Sequence, residues 1–374
     1  MAYHLDTRRK TLVIVLALLG IICAWILEST KVQQKSNGYE VKKRAVELSS
    51  QAFSALRTYA TGDLARRINP DEDPAGTGLI GPRTSSIVNA RGNMAEKRTS
   101  LNPNFAAVIV DYFRRIGLKA GDAVAVSTSG SFPGMNVNLY AAIEAMGLRP
   151  VVITAVTSSS WGASDPEFTW LDMERILTQE GVFPFRSVAA SAGGADDMGR
   201  GLSPEGRSLI WAAVDRNGVA RLESGSIEES IAKRMEIYER EARPGQVKAY
   251  VNLGGGIASL GSSQNRALIP TGLSTDLGLR NFPRKGVIIR MAQKGVPVIH
   301  LNQVEMIAGR FGLPVAPDYL PGAGEGEVFT RAAYNVWVAA GLLALYLFLT
   351  FGLIIPGFRK RLLGRGAGAR AHAG

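Results

Sequence analysis

The sequence predicts an α/β protein: a mainly parallel, helix-covered sheet in an extracytoplasmic domain, flanked by two transmembrane helices. Three observations carry this. Short apolar, β-branched runs alternate with helical spacings from Ala123 to Leu301, the pattern of parallel strands joined by covering helices. Hydroxyl- and glycine-rich loops follow several of those runs, where such a sheet places its strand-to-helix turns. Uncharged stretches near both ends, Thr11–Leu27 and Ala332–Phe358, read as membrane spans.

The chain has 374 residues, 46% of them hydrophobic, enough for one large α/β domain or two smaller ones. The single cysteine, Cys23, excludes an intramolecular disulfide and any cysteine-rich metal site. Of the three histidines, His4 and His372 lie near the termini, which leaves His300 as the one imidazole for a folded interior. The net charge of +11 is concentrated at the ends, where eight Lys/Arg in 1–10 and 358–374 face only Asp6. The remainder carries 35 basic and 31 acidic residues, too even a balance for a nucleic-acid-binding domain.

The terminal stretches set the expected layout. Residues 1–10 form a basic cytoplasmic tail and 11–27 the first transmembrane helix, with Trp25 as an interfacial aromatic. No Ala-x-Ala-like site follows it, and Ile22 before Cys23 does not suit lipoprotein processing, so the segment reads as an uncleaved anchor. Residues 332–358 form the second span, with Tyr334 and Trp337 at one end and Arg359-Lys360-Arg361 beginning a basic cytoplasmic tail over 359–374. The outer basic clusters place both termini inside and the domain outside, a two-pass protein of the bacterial cytoplasmic (inner) membrane. Lys42-Lys43-Arg44 argues the other way, but a long loop translocates largely regardless of its charge.

Residues 28–100 are expected to hold an amphipathic helix and a Gly/Pro-rich connector. Val41, Ala45, Leu48, Ala52, Leu56 and Tyr59 recur at three- and four-residue steps, a stripe that packs on its own domain or on a neighbouring chain, the first being the plainer reading. Residues 101–331 form the α/β domain. Asn102-Pro103 marks a helix start. The central unit follows: strand Val124–Val126, loop Ser127–Gly134, helix Asn136–Gly147 and strand Pro150–Thr154, a right-handed βαβ crossover. Further on come a helix over 168–179, a strand over 186–192, a helix from Ser203-Pro204, and a capping box at Ser226-Ile227-Glu228-Glu229. A strand over 247–253, a helix over 285–294, a strand over 296–301 and a helix over 302–310 complete the alternation.

Three loops are candidate ligand-binding elements: Ser127, Thr128, Ser129, Gly130 and Ser131 with Asn136 of the following helix; Ser158, Ser159 and Ser160; and Gly254, Gly255 and Gly256. Parallel strands bring such loops to one edge, where open α/β folds bind ligands. Glycines and small hydroxyls suit backbone approach to a carboxylate or phosphate, and a helix start adds oriented N–H groups. The plainer alternative is that each is a tight strand-to-helix turn. No Walker loop occurs, Gly254-x-Gly256-x-x-Ser259 lacks the third Rossmann glycine, and no Gly-x-Ser-x-Gly elbow is present. No catalytic residue, cofactor or metal is assigned. A serine nucleophile would need His300 as its base, although an imidazole at a strand end is more often structural. Asp165, Asp196, Asp197 and Asp276 read as solvated loop acids rather than cation ligands.

The runs Lys97-Arg98-Thr99-Ser100-Leu101-Asn102-Pro103-Asn104, Ser127-Thr128-Ser129-Gly130-Ser131-Phe132-Pro133-Gly134-Met135-Asn136 and Ser158-Ser159-Ser160-Trp161-Gly162-Ala163 resemble the poly-γ-glutamate system proteins. The resemblance covers nearly the whole chain. It implies a membrane-anchored accessory component of poly-γ-glutamate biosynthesis or export in capsule-type loci, whose partners are the membrane, the anionic polymer and the synthase or export subunits, with no nucleic acid. It supplies no catalytic residue. The alternative is an extracytoplasmic hydrolase or transferase acting on γ-glutamyl amides through a loop serine.

Overall fold

The computed structural model describes residues 7–64, 66–243 and 246–354. In chain order, α1 (Thr7–Ser29) and β1 (Val32–Lys35) come first. They are followed by α2 (Tyr39–Thr61), β2 (Val88–Ala90), α3 (Met94–Ser100) and α4 (Phe105–Arg115). The central elements are β3 (Ala123–Ser129), α5 (Pro133–Ala145), β4 (Arg149–Ala155) and β5 (Ser158–Ser159). Then come α6 (Trp170–Gln179), β6 (Ala189–Ser191), α7 (Pro204–Arg216), β7 (Ala220–Arg221) and α8 (Ile227–Glu241). The last part holds β8 (Val247–Leu253), α9 (Ile257–Leu260), α10 (Asn265–Leu268), β9 (Gly272–Ser274), α11 (Val287–Gln293), β10 (Val298–Leu301), α12 (Val304–Arg310), β11 (Thr330–Ala333) and α13 (Val336–Ile354).

The chain divides into two compact units, one spanning Ser36–Phe329 and the other formed by the two ends, up to Lys35 and from Thr330. In the larger unit seven strands run in the order β7-β6-β4-β3-β8-β10-β9. All neighbours are parallel except β9, which lies antiparallel to β10. The α/β class and mainly parallel sheet thus appear as the alternation implied. From β3 the chain steps outward through β4, β6 and β7, then returns to place β8 on the other side of β3. The order reverses between β3 and β8, and a crevice opens at the carboxyl end of the sheet at such a switch point.

Period-two alternation divides the core. Val124 and Val126 of β3 point into a large cluster with α2, α4, α5 and α6, whereas Ala125 points into a second cluster with α8 and α11. Helix α5 is buried almost all round rather than along one stripe. The reason lies in α2, which packs over α4 and α5 as an outer layer, so that α5 has sheet on one side and helix on the other. The stripe of α2 buries Ala45, Ala52, Phe53 and Leu56 within this same unit, and the unit therefore starts well before residue 101. The polar stretch before Asn102 also holds β2 and α3; β2 pairs in parallel with β5.

In the smaller unit β1 and β11 pair antiparallel, and α1 lies alongside α13. The two-pass reading is corrected here: among the described residues no helix is long and apolar enough to cross a membrane. The uncharged part of α1, residues 11–27, rises only about 26 Å at 1.5 Å per residue, against a hydrocarbon core of about 30 Å. Ala332 and Ala333 belong to β11, so α13 starts later than the sequence implied, and its 19 described residues rise about 28 Å. The remaining residues of the expected second span, 355–358, and the tails over 1–6 and 359–374 lie outside the described residues. The inner-membrane, extracytoplasmic and capsule-export placement rested on these spans and falls with them.

Candidate functional site

At the carboxyl edge of the central strands a cavity of about 720 Å³ opens. The three predicted loops converge on it, but only some of their residues face it. Ser129, Ser131, Ser159, Gly255 and Gly256 line the wall. The others are turned into the protein, because β3 runs to Ser129 and its last residues alternate across the sheet instead of forming an open loop.

Ser127 accepts a hydrogen bond from Ser259 Oγ at 3.0 Å, and Ser259 meets the Tyr250 hydroxyl at 2.9 Å. Thr128 faces the opposite side, its hydroxyl 2.5 Å from that of Thr154. Asn136 is fully buried and donates from Nδ2 to the Ser129 carbonyl at 2.9 Å, so it braces the end of β3. Ser158 donates to the Gly130 carbonyl at 3.0 Å, and Ser160 sits in the β2–β5 register through its N–H to the Ala90 carbonyl at 3.0 Å. Gly254 takes the left-handed conformation with φ 86° at the turn out of β8. Gly130 is a packing glycine: a Cβ there would stand 2.7 Å from the Val156 carbonyl and 3.1 Å from that of Thr157. The close approach its sequence suggested is to a neighbouring segment of the chain, not to a ligand.

The expected anion seat at the start of the central helix is corrected as well. Helix α5 begins at Pro133, which has no N–H to offer. Its first turn is roofed by the 100–101 backbone, and a Cβ on Gly134 would lie 2.8 Å from the Ser100 carbonyl.

The basic lining comes from segments the sequence did not single out. Arg91 follows β2, Arg266 lies in α10, and Arg284 precedes α11; all three border the cavity. A Cβ on Gly255 would come within 3.0 Å of the Arg266 guanidinium, which places that cation over the glycine turn at the switch point. Among the described residues Arg266 has no carboxylate partner, while Arg284 lies 3.4 Å from Glu228 at an exposed position. The acids nearby are largely committed. Asp197 is buried and held by Arg234 at 2.8 Å, and Asp196 pairs with Arg200 at 2.8 Å. Burial, then the charge of Glu305, raises the Glu96 carboxyl above its ordinary range. Gln303, in the left-handed region at φ 51°, closes the β10 side of the wall.

Lys97 of α3 is 2% exposed. Its ammonium donates to the Ser131 carbonyl and to Ser159 Oγ, the latter at 2.7 Å, and lies 4.0 Å from the centre of the Phe132 ring. Burial pushes its pKa down to about 7. The sequence names Lys97 only in the run that carries the resemblance, and a lysine in a Gly/Pro-rich connector gives no sign of burial.

His300 is also buried, but it faces Asn252, whose Nδ2 lies 3.0 Å from the imidazole Nδ1. No serine hydroxyl is among its hydrogen-bond partners in the described residues. Burial lowers its pKa to about 4, so it is neutral at physiological pH. Asp165 and Asp276, taken as solvated loop acids, stand 3.6 Å from Arg66 and 2.7 Å from Arg280. Among the described residues no group of three His, Cys, Asp or Glu side chains is placed to hold a metal ion.

No protein-family model, curated protein or solved structure matches this chain.

Proposed function

We propose that the chain is an anion-binding component of poly-γ-glutamate biosynthesis, whose cavity takes carboxylates of the polymer or of its γ-linked precursors. The observation that carries this is the uncommitted Arg266 guanidinium poised over the Gly255 turn at the β3/β8 switch point. A guanidinium binds carboxylates in a planar, two-pronged manner, and the glycine backbone beside it permits close approach. A polymer with one carboxylate per residue presents a row of such groups, which Arg91 and Arg284 on the same wall extend to more than one contact. The resemblance of the loop runs to the poly-γ-glutamate system proteins supports this substrate class.

Titration of the full chain with γ-linked glutamate oligomers of defined length tests the reading. Wild type is expected to bind with an affinity that falls as salt is raised, and Arg266→Gln to bind about 10-fold or more weakly, as loss of a charge-assisted pair entails. An α-linked oligomer of equal charge serves as the control for shape. Equal affinity of wild type and Arg266→Gln, or equal binding of both oligomers, would overturn the assignment.

A further inference from the structure

We infer that Ser159 is a nucleophile and Lys97 its general base, a serine–lysine pair at the cavity wall built for acyl transfer. The alternative the sequence offered was a loop serine with His300 as its base; the structure assembles a different pair, from β5 and α3. Ser159 ends β5 and lines the cavity, and Lys97 reaches it from α3 behind the wall. The 2.7 Å contact between Nζ and Oγ is the distance at which a proton passes between a base and the hydroxyl it activates.

The surroundings fit a base better than a structural cation. Among the described residues no carboxylate forms an ion pair with Lys97. An ammonium buried without a countercharge is costly, and a lysine that loses its proton near neutral pH is the form able to accept one. Burial supplies that shift. The charged groups facing Lys97 are Glu96 on its own helix and, beyond it, Glu305 on the adjacent α12, which raises the Glu96 carboxyl and so weakens its hold on the lysine. Gly92 admits the lysine stem: a Cβ there would stand 3.2 Å from Lys97 Cε. Ser131 locks the nucleophile's backbone, its Oγ accepting the Ser159 N–H at 3.1 Å.

The step balances on groups present and on water. Neutral Lys97 takes the proton of Ser159 Oγ as that oxygen attacks an amide carbonyl carbon. The carbon–nitrogen bond breaks, the departing nitrogen receives the proton from the Lys97 ammonium, and an ester on Ser159 remains. Water, or the amine of a second chain, then attacks the ester while Lys97 accepts its proton. The carbon–oxygen bond to Ser159 breaks and the proton returns to Oγ. Arg266 on the same wall favours an acyl group that carries a carboxylate. The γ-glutamyl identity of that acyl group rests on the binding reading above, but the nucleophile does not.

The test therefore has two arms. In the first, the full chain is treated with diisopropyl fluorophosphate from about pH 5 to about pH 9, and the adduct is located by peptide mass spectrometry. A single phosphorylated residue, Ser159, is expected, with a rate that rises through about pH 7 as the lysine deprotonates. Ser159→Ala should abolish it, and Lys97→Met should slow it by about 100-fold or more. Lys97→Arg, which keeps the cation but cannot serve as a base, should slow it equally, whereas a merely structural lysine would leave the rate unchanged. No adduct on wild-type Ser159 at any pH, or an adduct with a flat pH profile, overturns the proposal without requiring any variant to fold. In the second arm γ-glutamyl p-nitroanilide is offered. Labelling of Ser159 without p-nitroaniline release leaves the nucleophile standing and sinks only the γ-glutamyl reading.

Discussion

At the scale of single residues, burial rather than composition decides what a polar side chain does. His300 was the one imidazole free to serve as a catalytic base, yet it is 1% exposed and pairs with Asn252. Its folded pKa is lowered from 6.5 to about 4. A depressed folded pKa means the unfolded chain binds the extra proton first, so this group's contribution is complete above about pH 6.5 and is lost as pH falls through about 4. His300→Ala should therefore flatten the acid-side decline in that window while costing about 2 kcal/mol at neutral pH from the lost packing. Urea melts at several pH values measure both effects. An unchanged pH slope would refute the buried neutral imidazole, and loss of oligomer binding in the folded variant would return His300 to the site.

At the scale of elements, the position of α5 depends on one amide. Asn138 is fully buried, and its Nδ2 lies 3.1 Å from the carbonyls of Ser100 and Asn102 and 3.0 Å from that of Gly134. Its Oδ1 accepts from Ser49 of α2 at 2.8 Å. The side chain thus joins the outer helix α2, the α3–α4 turn and the crossover helix whose first turn follows the Ser131 loop. Asn138→Leu preserves volume but leaves the Ser49 hydroxyl and the Ser100 carbonyl without their partners, at a cost of roughly 2–4 kcal/mol. Ser49→Ala removes one hydroxyl and should cost only about 1 kcal/mol. Chemical denaturation checks the ranking, and equal costs for the two variants would show that the Ser100 carbonyl finds another donor.

At the scale of the whole molecule, the segment after β6 and helix α8 meet at the cavity through a buried charge. Asp197, held at φ 61° on the cavity wall, accepts from Ser191 at the end of β6, from Ser230 of α8 at 2.5 Å, and from Arg234 at 2.8 Å. It fastens the segment beyond β6 to α8. Removing one partner leaves a charge in a dry interior, so Arg234→Met should cost about 3–5 kcal/mol. Replacing Asp197 in the same chain by Asn, which tolerates the left-handed backbone, should restore part of that loss, because no isolated charge then remains. Additive losses in the double variant, read from denaturant midpoints, would contradict this account.

Periodicity and punctuation in the sequence determined the order of strands and helices. The run from Val247 to Leu253 was legible to the residue, because a strand's alternation and its glycine stop are local properties. The gathering of the three loops at one edge followed from parallel pairing. Which hydroxyls face the cavity was not legible, since it depends on where β3 ends: Ser127 and Thr128 carry the same chemistry as Ser129, the strand's last residue, but lie further back along β3 and turn inward. The short pairings β1–β11, β2–β5 and β9–β10 join segments far apart in sequence or too brief to show a period. The apolar runs at the two ends were plain in the sequence, but where the second begins as a helix was settled by β11, which takes Ala332 and Ala333 into a strand. Arg266 and Lys97 look like ordinary surface cations in one dimension. Tertiary packing alone sets the first over a glycine turn and removes the second from water, because desolvation and proximity are properties of the assembled chain.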